Sequence, residues 1–298
     1  GETGFKQFGF VSPQLKARLQ EEAPVLIHAH FGKGAAYAMP LARALDVPLV
    51  VTYHGGDATK TANTRDSAIR VYNRRRSEIW REAALILPVS NFIRGELAAR
   101  GCLPDKMVVQ HNGVDPEKFT PGQKQKIILF AGRWVEKKGI DTLIGALERL
   151  KGELDGWRVR LIGDGDLKPG LVQRLNASGI AAELPGWTPA DSMPPEFASA
   201  MIVCVPSRRA STGDAEGLPM VCIEAMLAGC AVAATRHAGI PECVTDGVTG
   251  MLAEEEDEAG LAERLRAMMA DTQRTLAMGE AGRARALKDF NLSIQSAK

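Results

Sequence analysis

Twice along this chain, apolar runs of strand length alternate with amphipathic stretches of helical length, and that alternation constrains the fold more than any other feature. In the first half the runs are VLIHAH (25–30), PLVVTYH (48–54), ALILPVS (84–90) and MVVQHNG (107–113), with helical patterns at 34–45, 66–83 and 91–100 between them. The segment GVDPEKFTPGQKQK (113–126) then interrupts with two prolines, two glycines and three lysines, the composition of a linker. Beyond it the alternation restarts, with strands expected at 127–132, 158–163, 201–206 and 231–235 and helices at 139–150, 168–178, 217–229 and 257–270. Runs of this kind are the mark of parallel sheets covered on both faces. The expected fold class is therefore α/β, with two doubly wound Rossmann-like domains at 1–118 and 119–298. Ligands of open α/β sheets bind outside the carboxyl ends of the strands, so two such domains predict a cleft between two rows of strand ends.

Composition narrows the partners. A formal charge of +1 on 298 residues gives no global pull toward nucleic acid or an anionic membrane. No apolar run approaches the roughly 18 residues of a membrane span, and no signal-peptide core is legible, so a cytoplasmic protein is expected. The five cysteines, Cys102, Cys204, Cys222, Cys230 and Cys243, form no C-x-x-C pair and read as buried thiols. His28 and His30 share one face of a strand, but no third ligand stands at a suitable spacing, and no metal is expected. The chain opens without Met and without a strand ahead of its first helical pattern, so the first domain is expected to be incomplete.

The stretch GDAEGLPMVCIEAMLAGC (213–230) sets Glu216 and Glu224 eight positions apart around a Gly-Leu-Pro turn. Pro219 suits the first turn of a helix, where its missing N–H costs nothing, and residues 220–227 read as a continuous helical run. Glu216 then lies in the loop and Glu224 in the helix, both able to face a ligand at the helix N-terminus. Free N–H groups and the helix dipole favour a phosphate there. Arg133 and Lys138 flank the loop after the first strand of the second domain, where two cations can neutralise a diphosphate. Inside such a clamp a carboxylate in the helix can accept hydrogen bonds from vicinal ribose hydroxyls, which suits Glu224, and one before the helix can reach a sugar, which suits Glu216. Solvated charges remain the alternative for each residue alone. His54 closes a strand and is followed by GGD, whose glycines permit close approach of a ligand. Asp57 can orient His54, bind an acceptor or cap a helix. The basic helix containing RVYNRRR (70–76) is either a solvated face or a contact for anionic lipid headgroups.

The segments HAHFG, TYHGGD, AGRWVEKKGIDTLI, LIGDGDL, LPGWTP and VCVPSRRASTGDAEGLPMVCIEAMLAGCAVAATRHAGIPECVTDGVTGML follow in an order that resembles the family 4 glycosyltransferases of the GT-B fold. Within that family the chain looks like bacterial exopolysaccharide and lipopolysaccharide enzymes. The resemblance implies roles by position. Arg133 and Lys138 match the cations on the donor diphosphate, Glu224 the ribose acid and Glu216 the acid on the donor sugar. The backbone of Gly217, Leu218 and Met220 matches the turn around the distal phosphate and sugar. Gly186 and Trp187 match the segment beside the nucleobase, Gly163 and Gly165 the turn closing the adjacent strand, and His54 the acceptor-domain histidine near the donor's hydroxymethyl group.

The resemblance also implies a metal-independent, retaining hexosyl transfer. The donor would be a UDP-, GDP- or ADP-sugar with no further cofactor, and the acceptor a saccharide or lipid-linked saccharide. It implies work in the cytoplasm, with peripheral contact at the cytoplasmic face of the inner membrane, and no nucleic-acid partner. It departs from the family at the start, where a strand and a glycine-rich loop near the donor phosphates are expected before Val25. Two rivals stand beside it: a nucleotide-sugar epimerase or phosphorylase on the same fold, and a catalytically impaired nucleotide-sugar-binding subunit. A dehydrogenase is disfavoured, since no G-x-G-x-x-G follows a strand.

Overall fold

A computed structural model of the chain describes residues 11–60 and 67–297. The first ten residues, part of the stretch where no signal-peptide core was expected, and Asp66, the expected start of a helix, lie outside the described residues. Two compact units are formed. One comprises the residues up to His111 together with Thr212–Gly217, and the other comprises Asn112–Ser211 and the chain from Leu218 onward.

In the first unit the elements run α1 (Pro13–Glu21), β1 (Ile27–His30), α2 (Phe31–Leu45), β2 (Leu49–Tyr53), α3 (Gly56–Thr59), α4 (Ser67–Glu82), β3 (Leu85–Pro88) and α5 (Asn91–Ala98). The strands form a parallel sheet in the order β1-β2-β3, with Ala29 opposite Val51 and Val51 opposite Ile86. Val51, Ile86, Ala35, Ile79, Ile93 and Leu97 are fully buried around it, as the apolar runs and helical periodicity require. Helix α2 begins three residues earlier than its apolar pattern, at Phe31, which takes a left-handed φ of 65°.

The strand expected at 107–113 does not form. Met107 makes a single parallel bridge to Ile86, and the N–H groups of Val108 and Gln110 then donate to the carbonyls of Ile86 and Pro88. The return bond of a parallel ladder would have to come from the N–H of residue 88, and Pro88 has none. Apolar character placed this segment beside β3, and one proline kept it from becoming a strand.

The second unit contains β4 (Gln125–Ala131), α6 (Ile140–Arg149), β5 (Arg158–Ile162), α7 (Lys168–Ser178), β6 (Ala182–Gly186), α8 (Pro194–Ser199), β7 (Ala200–Val205), α9 (Met220–Leu227), β8 (Ala231–Thr235), α10 (Ile240–Cys243), β9 (Gly250–Ala253), α11 (Glu258–Ala270), α12 (Thr272–Asp289) and α13 (Leu292–Ser296). Its six strands are parallel in the order β6-β5-β4-β7-β8-β9. This is the doubly wound order whose direction reverses between β4 and β7, and a ligand crevice belongs at that reversal. A continuous core runs through Ile128, Phe130, Trp134, Leu143, Leu147, Leu161, Ile202, Leu261 and Leu265. The four expected strands are present, and β6 and β9 are added. Edge strand β6, AELPG, is nowhere fully buried and carries no apolar run, whereas β9, GMLA, has only four residues. All five cysteines are free and buried.

Candidate functional site

Within the second unit, a cavity of about 350 Å³ opens where the winding order reverses. Its wall takes Gly132 and Arg133 from the end of β4, Gly163 and Asp164 from the end of β5, Trp187 and Thr188 after β6, and Val221 and Glu224 from α9. Each contributor lies just beyond the carboxyl end of a strand or in the helix that follows one. The Gly163 turn is tight for a steric reason. A Cβ at this position would stand 1.8 Å from the Gly132 carbonyl oxygen, and its φ of +132° is one that side-chain-bearing residues rarely adopt. The Gly163 N–H donates to the Gly186 carbonyl at 2.8 Å, and the Trp134 N–H donates to the Asp164 carbonyl at 2.8 Å. These bonds fix the three loops that line the cavity relative to one another.

Three side chains give the cavity its chemistry. The Arg133 side chain is exposed at the wall. Trp187 is 73% exposed, although a tryptophan would ordinarily be among the more buried residues of a fold. Burial pushes the Glu224 carboxyl above the usual carboxylate range, with the Lys138 ammonium pulling the other way. Lys138 ends the short helical turn Glu136–Lys138, and its side chain passes near Gly132. A cation, a half-buried carboxylate and a bare aromatic face around one concave space suit a ligand that is anionic, hydroxyl-bearing and planar in different parts. Gly165 and Gly186 shape the same loops from behind the wall. A Cβ on Gly165 would meet the Trp134 carbonyl oxygen at 2.6 Å.

Helix α9 spans Met220–Leu227 with Pro219 immediately before it, as the Gly-Leu-Pro turn predicts. No side chain caps its N-terminus. Leu218 is buried and Met220 exposed. The loop that leads from β7 toward this helix is held by four acids of the second unit. Glu136 accepts from the Ser211 N–H and from Ser211 Oγ, each at 2.8 Å. Glu255 accepts from the Arg209 N–H at 2.8 Å and meets Nδ1 of the buried His237 at 2.7 Å. Arg208 donates to Asp141 at 2.7 Å and pairs with Glu256 at 3.1 Å. Neither Glu136 nor Glu255 was singled out by sequence, because acids on well-separated segments leave no local spacing signal.

In the first unit, His54 follows β2 and lies against the segment carrying Glu216. A Cβ on Gly217 would stand 2.1 Å from the His54 carbonyl oxygen, so only glycine permits this approach. Ser90 caps α5, accepting from the Ile93 N–H at 3.2 Å, and its hydroxyl donates to the Gly217 carbonyl at 3.1 Å. The Ala215 N–H donates to Thr59 Oγ1 at 3.0 Å, and Lys60 pairs with Asp214 at 3.2 Å. Glu216 and Gly217 thus group with His54, whereas Leu218, Met220 and Glu224 belong to the second unit.

Asp57 has a defined structural task. Its Oδ1 accepts from the N–H groups of His54 at 3.2 Å and Gly55 at 2.9 Å, and its Oδ2 accepts from the Gly32 N–H at 3.0 Å in the first turn of α2. The helix it caps is α2, in a different part of the sequence from the segment that follows it. Burial raises its carboxyl above the usual range, while these N–H groups oppose the rise. His54 is pushed down to about 4, by burial first and then by the neighbouring His30 and His28. Its imidazole is therefore neutral near pH 7. Among the described residues no group of three or more His, Cys, Asp or Glu side chains is placed to hold a metal ion. No described helix is long and apolar enough to cross a membrane.

Known proteins match most of the chain. The profile of the family described as "Glycosyl transferases group 1" matches residues 113–285, and that of "Glycosyltransferase Family 4" matches residues 2–118. The Erwinia amylovora protein named amylovoran biosynthesis glycosyltransferase AmsK is 30% identical over 274 residues, which are 89% of this chain and 66% of that protein. WcaL of Salmonella typhimurium, named for a glycosyltransferase role in colanic acid biosynthesis, is 32% identical over 249 residues, or 80% of this chain. The chain spans 59% of the Salmonella protein's length and 67% of its Escherichia coli counterpart's. Among solved structures, Anabaena Alr3699/HepE in complex with UDP and glucose superposes with a TM-score of 0.80 at 23% identity, covering 98% of this chain and 81% of that one. With the doubly wound sheet, the cavity at its reversal point and both profiles in agreement, the chain belongs to the group 1, family 4 glycosyltransferases of the GT-B fold.

Proposed function

We propose that this chain carries the nucleotide-sugar site of a retaining glycosyltransferase that builds surface polysaccharide, moving a hexosyl group from a UDP-, GDP- or ADP-sugar to a saccharide or lipid-linked saccharide. The observation that carries the reading is the cavity of the second unit, which sets exposed Arg133, half-buried Glu224 and bare Trp187 around one space. Glu224 accepts from the ribose hydroxyls, Trp187 and the Gly186 backbone face the base, and Arg133 and Lys138 stand on the diphosphate. Negative charge grows on the leaving diphosphate as the glycosidic bond breaks. Fixed cations there act where stabilisation counts most, and removing one is expected to cost about 10²–10³ in rate.

Glu216 and the backbone of Gly217, Leu218 and Met220 are assigned to the donor sugar and distal phosphate, and His54 to the sugar's hydroxymethyl group. The acceptor hydroxyl attacks on the face from which the diphosphate leaves, and that diphosphate takes the proton. The names of AmsK and WcaL support an exopolysaccharide product, and the UDP and glucose bound to HepE support a nucleotide-sugar donor. Work at the cytoplasmic face of the membrane, without a metal, completes the proposal.

A thermal-shift panel of UDP-, GDP- and ADP-sugars against the free nucleotides identifies the donor, and NMR coupling of the anomeric proton in the product reports its configuration. Inversion, or a sugar adduct trapped on Glu216, refutes the mechanism.

A further inference from the structure

His30 stands at the end of β1, and its Nδ1 lies 3.0 Å from Nε2 of His54 at the end of β2. The two rings lie near-parallel at 5.2 Å between centroids, and the Phe31 ring lies tilted against His54 at 4.5 Å. Next along β1, the His28 ring lies tilted against His30 at 4.6 Å, and its own Nε2 is engaged with Thr52 Oγ1 at 2.7 Å. Parallel pairing sets this row, because β1 residues 27–30 stand opposite β2 residues 49–52 and β2 ends one residue beyond, at Tyr53.

A neutral imidazole carries one N–H and one lone pair, and a hydrogen bond at one nitrogen ties its tautomer to that of the partner ring. The backbone N–H of His54 is taken by Asp57, and Nε2 is taken by His30. Its Nδ1 has no hydrogen-bond partner among the described residues. We infer that His30 is a positioning residue for His54: through the Nδ1–Nε2 hydrogen bond it fixes one tautomer and one ring orientation, and it leaves Nδ1 as the nitrogen offered to a sugar hydroxyl. The consequence for transfer rests on the glycosyltransferase reading, but the hydrogen bond and its effect on His54 do not.

The chain has only five histidines, so ring-nitrogen NMR of 15N-histidine-labelled protein at pH 7 resolves each one. The wild type is expected to show His54 with one protonated and one bare nitrogen, widely separated in shift. His30→Phe keeps an aromatic ring to stack but removes the bond, and is expected to collapse that separation toward the mean of two exchanging tautomers. His30→Asn returns a polar group near the position of Nδ1 and is expected to restore it. A cooperative urea transition of the first unit, followed at its buried Trp80, reports whether each variant is folded.

A His54 separation that survives in folded His30→Phe overturns the inference, and so does one that collapses equally in His30→Asn. Failure of the glycosyltransferase reading is seen separately, as the absence of any thermal shift with UDP-glucose or GDP-mannose. If donor is turned over, His30→Phe should lower kcat about tenfold or more with little change in KM and His30→Asn should recover most of it. An equal loss in both variants also overturns the inference.

Discussion

Replacing Glu224 by Gln isolates the charge of the acid that α9 contributes to the cavity without changing its shape. In the unliganded protein that charge is a liability, because burial pushes the carboxyl up and only Lys138 opposes it. The Glu224→Gln protein alone should therefore melt at or above the wild-type temperature. With donor bound the balance reverses. A hydrogen bond to a charged acceptor contributes about 1.5–3 kcal/mol against roughly 0.5–1.5 for a neutral one. Two ribose hydroxyls then lose about 2–3 kcal/mol together, or roughly 30- to 150-fold in Kd at about 1.4 kcal/mol per tenfold.

At a ligand concentration of about 100 times the wild-type Kd, binding stabilises the wild type by about 2.7 kcal/mol. The same concentration stabilises a 50-fold weaker variant by only about 0.6 kcal/mol. For a unit of this size those values correspond to melting shifts of about 5–11 °C and about 1–3 °C. Differential scanning fluorimetry with UDP, GDP, UDP-glucose and GDP-mannose reads both quantities in one experiment. A variant that keeps the full ligand shift of the wild type, or that melts well below it without ligand, refutes the assignment of Glu224 to a ribose.

Asp57→Ala strands the N–H groups of Gly32, His54 and Gly55 and should cost about 2–4 kcal/mol in urea unfolding of the first unit, whereas Asp57→Asn should cost less. Gly163→Ala drives a methyl group into the Gly132 carbonyl oxygen at a backbone angle hostile to alanine, so about 2–4 kcal/mol should be lost from the second unit. His54 binds its proton near pH 4 when folded and near 6.5 when unfolded, so the unfolded chain holds more protons between those values and stability falls as the pH drops through them. Because the ring is partly exposed, the loss should be about 1–2 kcal/mol, and a His54→Gln protein should lack that part of the pH slope. An unchanged slope in that variant would remove His54 as its source.

The sequence was most legible where one local pattern answers one structural demand. Val51 and Ile86 announce buried parallel strands, and Pro219 stands immediately before α9, inside the expected 217–229 span. Arg133, Gly163, Trp187 and Glu224, all legible as candidates, converge on one cavity because each follows a strand of one sheet. What stayed hidden depends on partners remote in sequence. Pro88 stops the strand at 107–113 from across the sheet, and Asp57 caps a helix that begins 26 residues before it. The His28–His30 pair was legible only as an incomplete metal site. Its engagement with Thr52 and His54 becomes visible once β1 and β2 are set in register.

The five buried cysteines give the chain a chemical silence that can be put to use. Burial pushes the Cys102 thiol up to about 11, and it raises those of Cys204 and Cys230 as well. Alkylating reagents act on thiolates within reach, so the native thiols are slow targets. A Trp187→Cys variant would place one ordinary thiol on the wall of the cavity, at a position where the native residue is 73% exposed. Whatever molecule fills that cavity would then shield the single reactive sulfur in the chain. Occupancy becomes a count of adducts by mass, one per empty cavity, for any nucleotide and without waiting for a product.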